Sequence, residues 1–394
     1  MRDRVSMEKV FRRRRRLAVS LAVLAVLVGV LLVSWSWVDA QARAVVVVST
    51  VLDAPVLTPA TEAVSGEPRF SEEAAVAGNP ALVARPAGEG PWPAVFFVNG
   101  TVPQGRKLPE ARRLAEGFAR AGYLVVLPDL PGLMEDRITP ETVDETAEVA
   151  RAVSGRADAA GGEVSMVGIS TGATLALLAA ERPGAGDRVS LVAGVATYSD
   201  IRTILNVATT DRYERSDGSF VRHEADPFLS YVVARSMIAA LPPGRNRQTL
   251  SAEMEAIGRK DPNPLGGLRL RGTDDLGPAA AAVVALLANR DPARFDRLYS
   301  DLPDGVRADL ETFSPLAGTE RIEAPVEVAT GPHDKYFPAS ESHNLDAIAP
   351  DLRVTVTPAI DHAELQVSPQ DATAFAGFDA FVVRALREAR LEES

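Results

Sequence analysis

The stretch VSMVGISTGATLAL, residues 164–177, decides the fold of this chain. Residues 164–167 form a short, mostly apolar run typical of a buried parallel strand, and residues 173–177 begin an apolar helical pattern. The pentapeptide between them reads Gly-x-Ser-x-Gly, which marks a sharp turn from a strand into a helix. Glycine is expected at Gly168 and Gly172 because side chains two residues either side of Ser170 would collide. Ser170 is therefore predicted to be a nucleophile beside the positive end of a helix dipole.

The pattern is weak when it stands alone. A chain of 394 residues contains it by chance roughly one time in ten. The alternative interpretation is a serine that caps a helix after a buried strand. The rest of the chain decides between the two.

Outward from this turn, strand patterns and helical patterns alternate. The candidate strands are residues 81–85, 94–99, 124–128, 164–168, 189–196, 326–330 and 352–357. The candidate helices are residues 108–121, 139–153, 171–182, 339–349 and 369–388. Such alternation predicts an α/β fold with a doubly wound, mostly parallel sheet.

The alternation breaks once, over residues 198–314, where helical pieces follow one another without a convincing strand. We predict a helical cap here, inserted between a first core part (residues 70–197) and a second (residues 315–391). Its apolar windows, residues 228–241 and 279–287, could either line a substrate pocket or pack against each other.

Two polar residues follow late strands and complete a pattern with Ser170. Asp334 comes after the strand at residues 326–330, and His362 comes after the strand ending at residue 357. Carboxyl ends of parallel strands share one edge of a sheet, so both residues are expected near Ser170. Ser170 would attack a carbonyl, His362 would move its proton, and Asp334 would orient the imidazole. Asp361 is the alternative acid, although neighbouring residues rarely point at one another.

The composition limits other chemistry. The chain has no cysteine and four histidines, so we predict neither a disulfide nor a metal site, and no cofactor is implied. His223 is expected to be a solvated residue of the cap, and His333 and His343 to be structural. Lys335 and Arg137 are the candidates for contact with an anionic substrate group.

The first residues concern location. Arginines occupy positions 12–16, and residues 17–38 then form an uncharged, largely apolar run long enough to cross a bilayer as a helix. We predict a basic cytoplasmic tail (residues 1–16), a transmembrane anchor (residues 17–38) and a linker (residues 39–69), with the body outside the cytoplasm. The alternative is a cleaved signal peptide, with cleavage near residues 40–42 and secretion of the body.

Charge indicates which partners to expect. Residues 44–394 carry 33 basic and 50 acidic side chains, which argues against nucleic acid as a partner. The expected partners are a small or lipid-like acyl substrate and, through the N-terminal helix, a membrane.

Two further stretches carry a family resemblance. PWPAVFFVNG (residues 91–100) and GYLVVLPD (residues 122–129) resemble the third and fourth core strands of the α/β-hydrolase superfamily. The chain order Ser170, Asp334, His362 is also that of this superfamily. The phrase RPAG at residues 85–88 is similar to dienelactone-hydrolase-like and carboxylesterase-like members.

The resemblance implies a serine hydrolase with Ser170, Asp334 and His362 as its triad. It also implies an oxyanion hole formed by the backbone N–H groups of Thr101 and Thr171. Asn99 stands where the family commonly has histidine. The expected activity is ester or related acyl hydrolysis through an acyl-enzyme, and the alternatives are an acyltransferase with the same triad and a non-catalytic binding protein.

Overall fold

A computed structural model describes residues 24, 29, 35–53, 57–318, 322–366 and 372–389. Within these ranges, one eight-stranded sheet has the order β1-β2-β4-β3-β5-β6-β9-β10. Its strands are β1 (Arg69–Val76), β2 (Asn79–Arg85), β3 (Ala94–Val98), β4 (Leu124–Pro128), β5 (Val164–Ile169), β6 (Val189–Val195), β9 (Val326–Thr330) and β10 (Leu352–Val356). Two small hairpins pair β7 (Arg212–Glu214) with β8 (Phe220–Arg222) and β11 (Ile360–Asp361) with β12 (Glu364–Leu365).

Helices cover both faces of the sheet. Residues 35–52 form α1. The other core helices are α2 (Leu57–Ser65), α3 (Pro109–Arg120), α4 (Pro131–Met134), α5 (Pro140–Ser154), α6 (Thr171–Ala180), α14 (Ala339–Asn344) and α15 (Ala372–Glu388). The helices between β6 and β9 are α7 (Ile201–Thr210), α8 (Pro227–Ala239), α9 (Arg245–Ile257), α10 (Gly266–Leu270), α11 (Pro278–Leu287), α12 (Phe295–Ser300) and α13 (Asp304–Glu311).

The mostly parallel α/β fold is confirmed. From β4 to β10 every pairing within this sheet is parallel, and each of the seven predicted strands forms within two residues of its expected bounds. The sequence analysis missed β1, which pairs antiparallel with β2 at the sheet edge. Its side chains are mostly exposed, so it lacks the apolar run by which the other strands were found.

The strand order places one turning point between β3 and β5. The chain leaves β3 through α3 toward β4, and returns from β4 through α5 to β5, which pairs with β3 on its other side. The helix that follows β3 and the helix that follows β5 pack on opposite faces of the sheet, since α3 belongs to one apolar cluster and α6 to the other. A crevice opens at such a point, and sheet sites are built there.

The predicted linker at residues 39–69 is different in the structure. Most of it is helical, and α1 packs against the core through Ala44 and Val47, which are fully or almost fully buried. Gln41 adds a 3.0 Å hydrogen bond to Asp379 of α15. The run of β-branched residues at 45–48 favours a strand by local propensity, but burial of the face that includes Ala44, Val47 and Val48 favours the helix.

The predicted anchor, residues 17–38, lies outside the described residues except at positions 24, 29 and 35–38. Among the helices that the structure describes, none has the length and apolar character required to cross a bilayer.

Residues 198–314 are mainly helical, as predicted, but they also contain the β7–β8 hairpin, which the sequence analysis did not predict. Gly218, with φ 79°, follows Asp217 in its turn. An Asp-Gly pair is a hairpin signal, but the strands on either side of it are only three residues long and mostly exposed. The cap helices share one apolar cluster with α5 and α6, so they pack on the same side of the sheet as those helices.

Candidate active site

Ser170 lies at the turn between β5 and α6 and has a strained backbone. Its φ is 57° and its ψ is −132°, a combination that residues with a Cβ rarely adopt. Its N–H donates to Val195 O at 2.8 Å, which holds the turn against the end of β6. The serine is only partly buried, so its hydroxyl is presented at the carboxyl end of the sheet.

The two glycines of the motif are required by space. A Cβ at Gly168 would lie 2.5 Å from Ala173 Cα and Gly172 O. A Cβ at Gly172 would lie 2.2 Å from Asn99 O, at the end of β3. The first contact would prevent the chain from turning back on itself, and the second would push α6 away from β3.

Asp334 and His362 form a buried pair. His362 Nδ1 lies 3.0 Å from each carboxylate oxygen of Asp334, and the two residues are 5% and 2% exposed. Asp334 Oδ1 also accepts hydrogen bonds from the N–H groups of Tyr336 and Phe337 at 2.8 and 2.9 Å. Burial raises the pKa of Asp334, but the His362 ring and these two N–H groups outweigh it, so the pKa is below its ordinary value.

Aromatic rings fix the imidazole from two sides. The Tyr336 ring centroid is 4.3 Å from that of His362, and the Phe337 ring meets it edge-on at 5.4 Å. His362 itself has φ 55°. Packing and backbone together hold the ring with Nδ1 toward Asp334, which leaves Nε2 as the nitrogen available to a reacting group.

The loop after β3 lies directly beside the serine. A Cβ at Gly100 would be 3.9 Å from Ser170 Oγ, and Thr101 follows in the same loop. Asn99, which stands where the family commonly has histidine, donates from Nδ2 to Gly105 O at 3.0 Å and so braces the loop. Thr171 is the first residue of α6, where an N–H has no partner within the helix.

One cavity of about 760 Å³ collects these groups. Ser170, Thr171, Thr101 and His362 all line it. Asp334 does not, because it lies behind the histidine. The structure thus brings together the residues that the sequence analysis selected from four separate loops.

Arg259 is a site residue that the sequence analysis missed. It follows α9 in the cap, lines the cavity, and stacks its guanidinium 4.6 Å from the Phe228 ring centroid. One guanidinium nitrogen is 3.4 Å from Thr101 O and 3.6 Å from Asp136 Oδ1. No motif surrounds Arg259, so only the tertiary structure places this cation beside the β3 loop.

The remaining candidates lie elsewhere. Lys335 pairs with Glu364 at 3.4 Å and does not line the cavity, and Arg137 pairs with Glu135 and lines a different one. His333 and His343 are exposed. His223 is half-buried, whereas a solvated residue was predicted. Burial lowers its pKa, opposed by a backbone hydrogen bond with Tyr336, and its buried Nε2 has no hydrogen-bond partner among the described residues.

A family profile described as X-Pro dipeptidyl-peptidase (S15 family) matches residues 80–359, which is more than half of the chain. The chain belongs to this family. It is therefore an α/β-hydrolase of the serine-hydrolase type, as the resemblance implied. The matched range contains Ser170 and Asp334 and ends just before His362. No curated protein shows significant sequence similarity to the chain.

Several solved structures are similar to the chain at low identity. A dienelactone hydrolase from Anabaena variabilis ATCC 29413 is 13% identical, with 81% of this chain and 97% of that one covered and a TM-score of 0.38. Esterase B from Lactobacillus Rhamnosis (HN001) is 13% identical, with 89% and 97% covered and a TM-score of 0.46. Brefeldin A esterase, a bacterial homologue of human hormone sensitive lipase, is 16% identical, with 88% and 86% covered and a TM-score of 0.41.

Proposed function

We propose that this protein hydrolyses carboxylic esters through an acyl-enzyme on Ser170. The observation that carries the proposal is the buried Asp334–His362 pair, hydrogen bonded at 3.0 Å, whose histidine lines the same cavity as the strained serine. A buried carboxylate that fixes the imidazole tautomer beside a serine is the arrangement that acyl transfer requires.

In the first half-reaction, Ser170 Oγ attacks the carbonyl carbon while His362 Nε2 takes the hydroxyl proton. The carbonyl oxygen becomes an oxyanion, for which the N–H groups of Thr101 and Thr171 are the proposed donors. His362 then returns the proton to the leaving alcohol. In the second half-reaction, water attacks the acyl-enzyme by the same proton transfers and releases the acid. Asp334 remains ionised throughout, consistent with its lowered pKa.

Peptide hydrolysis is the second candidate, because the family is named for an X-Pro dipeptidyl-peptidase. A dipeptidyl-peptidase must bind a free α-ammonium group, which calls for a carboxylate in the site. Among the described residues, the carboxylates that line this cavity are Glu110 and Glu364; both are exposed, and Glu364 pairs with Lys335. Among the described residues that line this cavity, the one arginine or lysine is Arg259, whose charge disfavours an ammonium group nearby, so esters fit the cavity better.

One experiment tests both candidates. The experiment compares wild type with Ser170→Ala and with the control Ser340→Ala, which changes an exposed serine of α14. Each protein is assayed with p-nitrophenyl butyrate, with Ala-Pro p-nitroanilide and with a fluorophosphonate label. We expect ester turnover and labelling in wild type and control, and a loss on the order of 10⁴-fold or more in Ser170→Ala. Preference for the anilide would favour the peptidase, and absence of labelling in folded wild type would overturn both.

We also propose that residues 17–38 anchor the protein in a membrane with its body outside the cytoplasm. The support is the basic run at positions 12–16 followed by an uncharged apolar run. The full-length protein should remain in the membrane fraction after carbonate extraction. A mature N-terminus at Gln41 or Arg43 would instead show cleavage and secretion.

A further inference from the structure

A second cavity, of about 140 Å³, lies against the sheet face that α3 and α15 cover. Its floor is formed by β5 and β6, with Val167 and Ala193 among the lining residues. Phe118 of α3 and Phe381 of α15 form two sides, and Val47 of α1 closes the third. The helix that the sequence analysis took for a linker is therefore one wall of an internal cavity.

The lining of this cavity is almost entirely apolar. Among the described residues that line it, the single charged one is Glu364, which is exposed and pairs with Lys335, so it lies at the mouth. Apolar cavities of about 150 Å³ stay dry and take up a small hydrocarbon of about six carbon atoms. Water finds no hydrogen-bond partners in such a space, whereas an aliphatic group is stabilised there because its apolar surface is removed from water.

This apolar cavity adjoins the catalytic cavity, which is the cavity of about 760 Å³ that Ser170 and His362 line. The two share six lining residues: Val51, Leu114, Ile169, Ala363, Glu364 and Leu365. Ile169 immediately precedes Ser170, and Ala363 immediately follows His362. The two cavities therefore share lining residues that are next in sequence to Ser170 and His362.

We infer that the apolar cavity binds the aliphatic tail of the acyl group, so that medium-chain acyl esters are the preferred substrates. The inference rests on the proposed esterase function. Each methylene that enters the cavity improves binding about fourfold, through removal of apolar surface from water. The alcohol part remains on the cap side, where Phe228 and Arg259 line the catalytic cavity.

The test fills the cavity and measures chain-length preference. Ala385 of α15 lines the cavity and is 9% exposed, and Ala374 on the same helix is equally exposed but does not line it. In Ala385→Phe, the ratio of kcat/KM for p-nitrophenyl octanoate to that for the acetate should fall at least about tenfold. Ala374→Phe should leave the ratio unchanged. An unchanged ratio in folded Ala385→Phe, or in Ala385→Leu if the larger variant fails to fold, overturns the inference.

A binding measurement separates this inference from the proposed activity. Octanoate is titrated calorimetrically into Ser170→Ala and into Ser170→Ala combined with Ala385→Phe. We expect binding to the first and at least about tenfold weaker binding to the second. Absence of binding to the first overturns the inference, whereas octanoate binding without ester turnover in wild type overturns only the esterase function. Comparison of dioctanoyl phosphatidylcholine micelles with dissolved p-nitrophenyl octanoate identifies whether lipid or soluble esters supply the chain.

Discussion

At Ser170 and His362 the backbone adopts positive φ values, 57° and 55°, that cost free energy in an isolated chain. The surrounding contacts stabilise both conformations: Val195 O binds the serine N–H, and two aromatic rings contact the imidazole. In the proposed mechanism, these contacts orient the hydroxyl and the imidazole before substrate binds, which lowers the cost of organising them in the transition state.

The identity of the acid can be tested at one residue. Asp334→Asn removes the carboxylate that faces His362 Nδ1 and accepts hydrogen bonds from two backbone N–H groups. The kcat for p-nitrophenyl butyrate should therefore fall about 10⁴-fold. Asp361→Asn should change kcat less than about threefold, because His362 Nδ1 is already bonded to Asp334. The opposite ranking in steady-state assays would make Asp361 the acid.

Glu181, at the C-terminal end of α6, should give the protein a pH-dependent stability. Burial raises the pKa of Glu181 to about 8, opposed by Arg182, and in the part of the chain that the structure describes its Oε1 has no hydrogen-bond partner. The folded protein then binds a proton that the unfolded chain releases above its ordinary pKa of 4.5, so the free energy of unfolding decreases as pH rises toward 8. The difference corresponds to at most about 5 kcal/mol.

Urea unfolding at pH 5 and pH 8.5 measures this effect. Glu181→Gln should be more stable than wild type at pH 8.5. Its free energy of unfolding should change much less between pH 5 and pH 8.5 than that of wild type. Glu67→Gln, a change at an exposed carboxylate, is the control and should unfold like wild type at both. If the free energy of unfolding changed equally with pH in wild type and Glu181→Gln, Glu181 would not be protonated in the folded state.

Among the elements, α6 depends on how closely it approaches β3. Gly172→Ala would place a Cβ 2.2 Å from Asn99 O and 2.3 Å from Val98 O, in backbone that cannot move aside without disturbing the sheet. We expect a loss of about 2 kcal/mol or more in the free energy of unfolding, with a large loss of esterase activity, because Ser170 moves with the helix.

Gly305→Ala is the matched control for that prediction. Gly305 also lies in the first turn of a helix, α13, but among the described residues a Cβ there would meet no atom within 4 Å apart from its chain neighbours and the backbone of its own helix. Because alanine is the better helix former, this variant should gain up to about 1 kcal/mol and keep its activity. If chemical denaturation showed the two variants to be equally stable, the contact with β3 would not be the cause.

At the scale of the whole molecule, the cap divides into a part that faces the site and a part that supports it. Phe228, Leu229 and Val232 of α8 line the catalytic cavity. The other predicted apolar window, residues 279–287, lies outside that lining, and α11 within it buries Leu286 and Val283 completely. One window thus supports the pocket hypothesis, and the other forms the core of the cap.

This division predicts different effects for two variants. Phe228→Ala should change kcat/KM among esters with different alcohol groups, with a small loss of stability, because the ring is only partly buried beside Arg259. Leu286→Ala should lower the free energy of unfolding by about 2–5 kcal/mol and leave that specificity unchanged. Steady-state kinetics and thermal melting of both variants test this prediction. Altered specificity in Leu286→Ala would indicate that α11 lines the substrate pocket.

The sequence by itself predicted seven of the eight strands of the sheet, the sharp turn at Ser170 and the candidate residues Asp334 and His362. Each follows from local chemistry: apolar runs of strand length, glycines that a sharp turn requires, and polar residues directly after strands. Only the tertiary structure decided the packing of α1, the position of Arg259 and the cavity between α1, α3 and α15. These depend on contacts between residues far apart in the chain, and packing against the core can override the local preference of a segment such as residues 45–48.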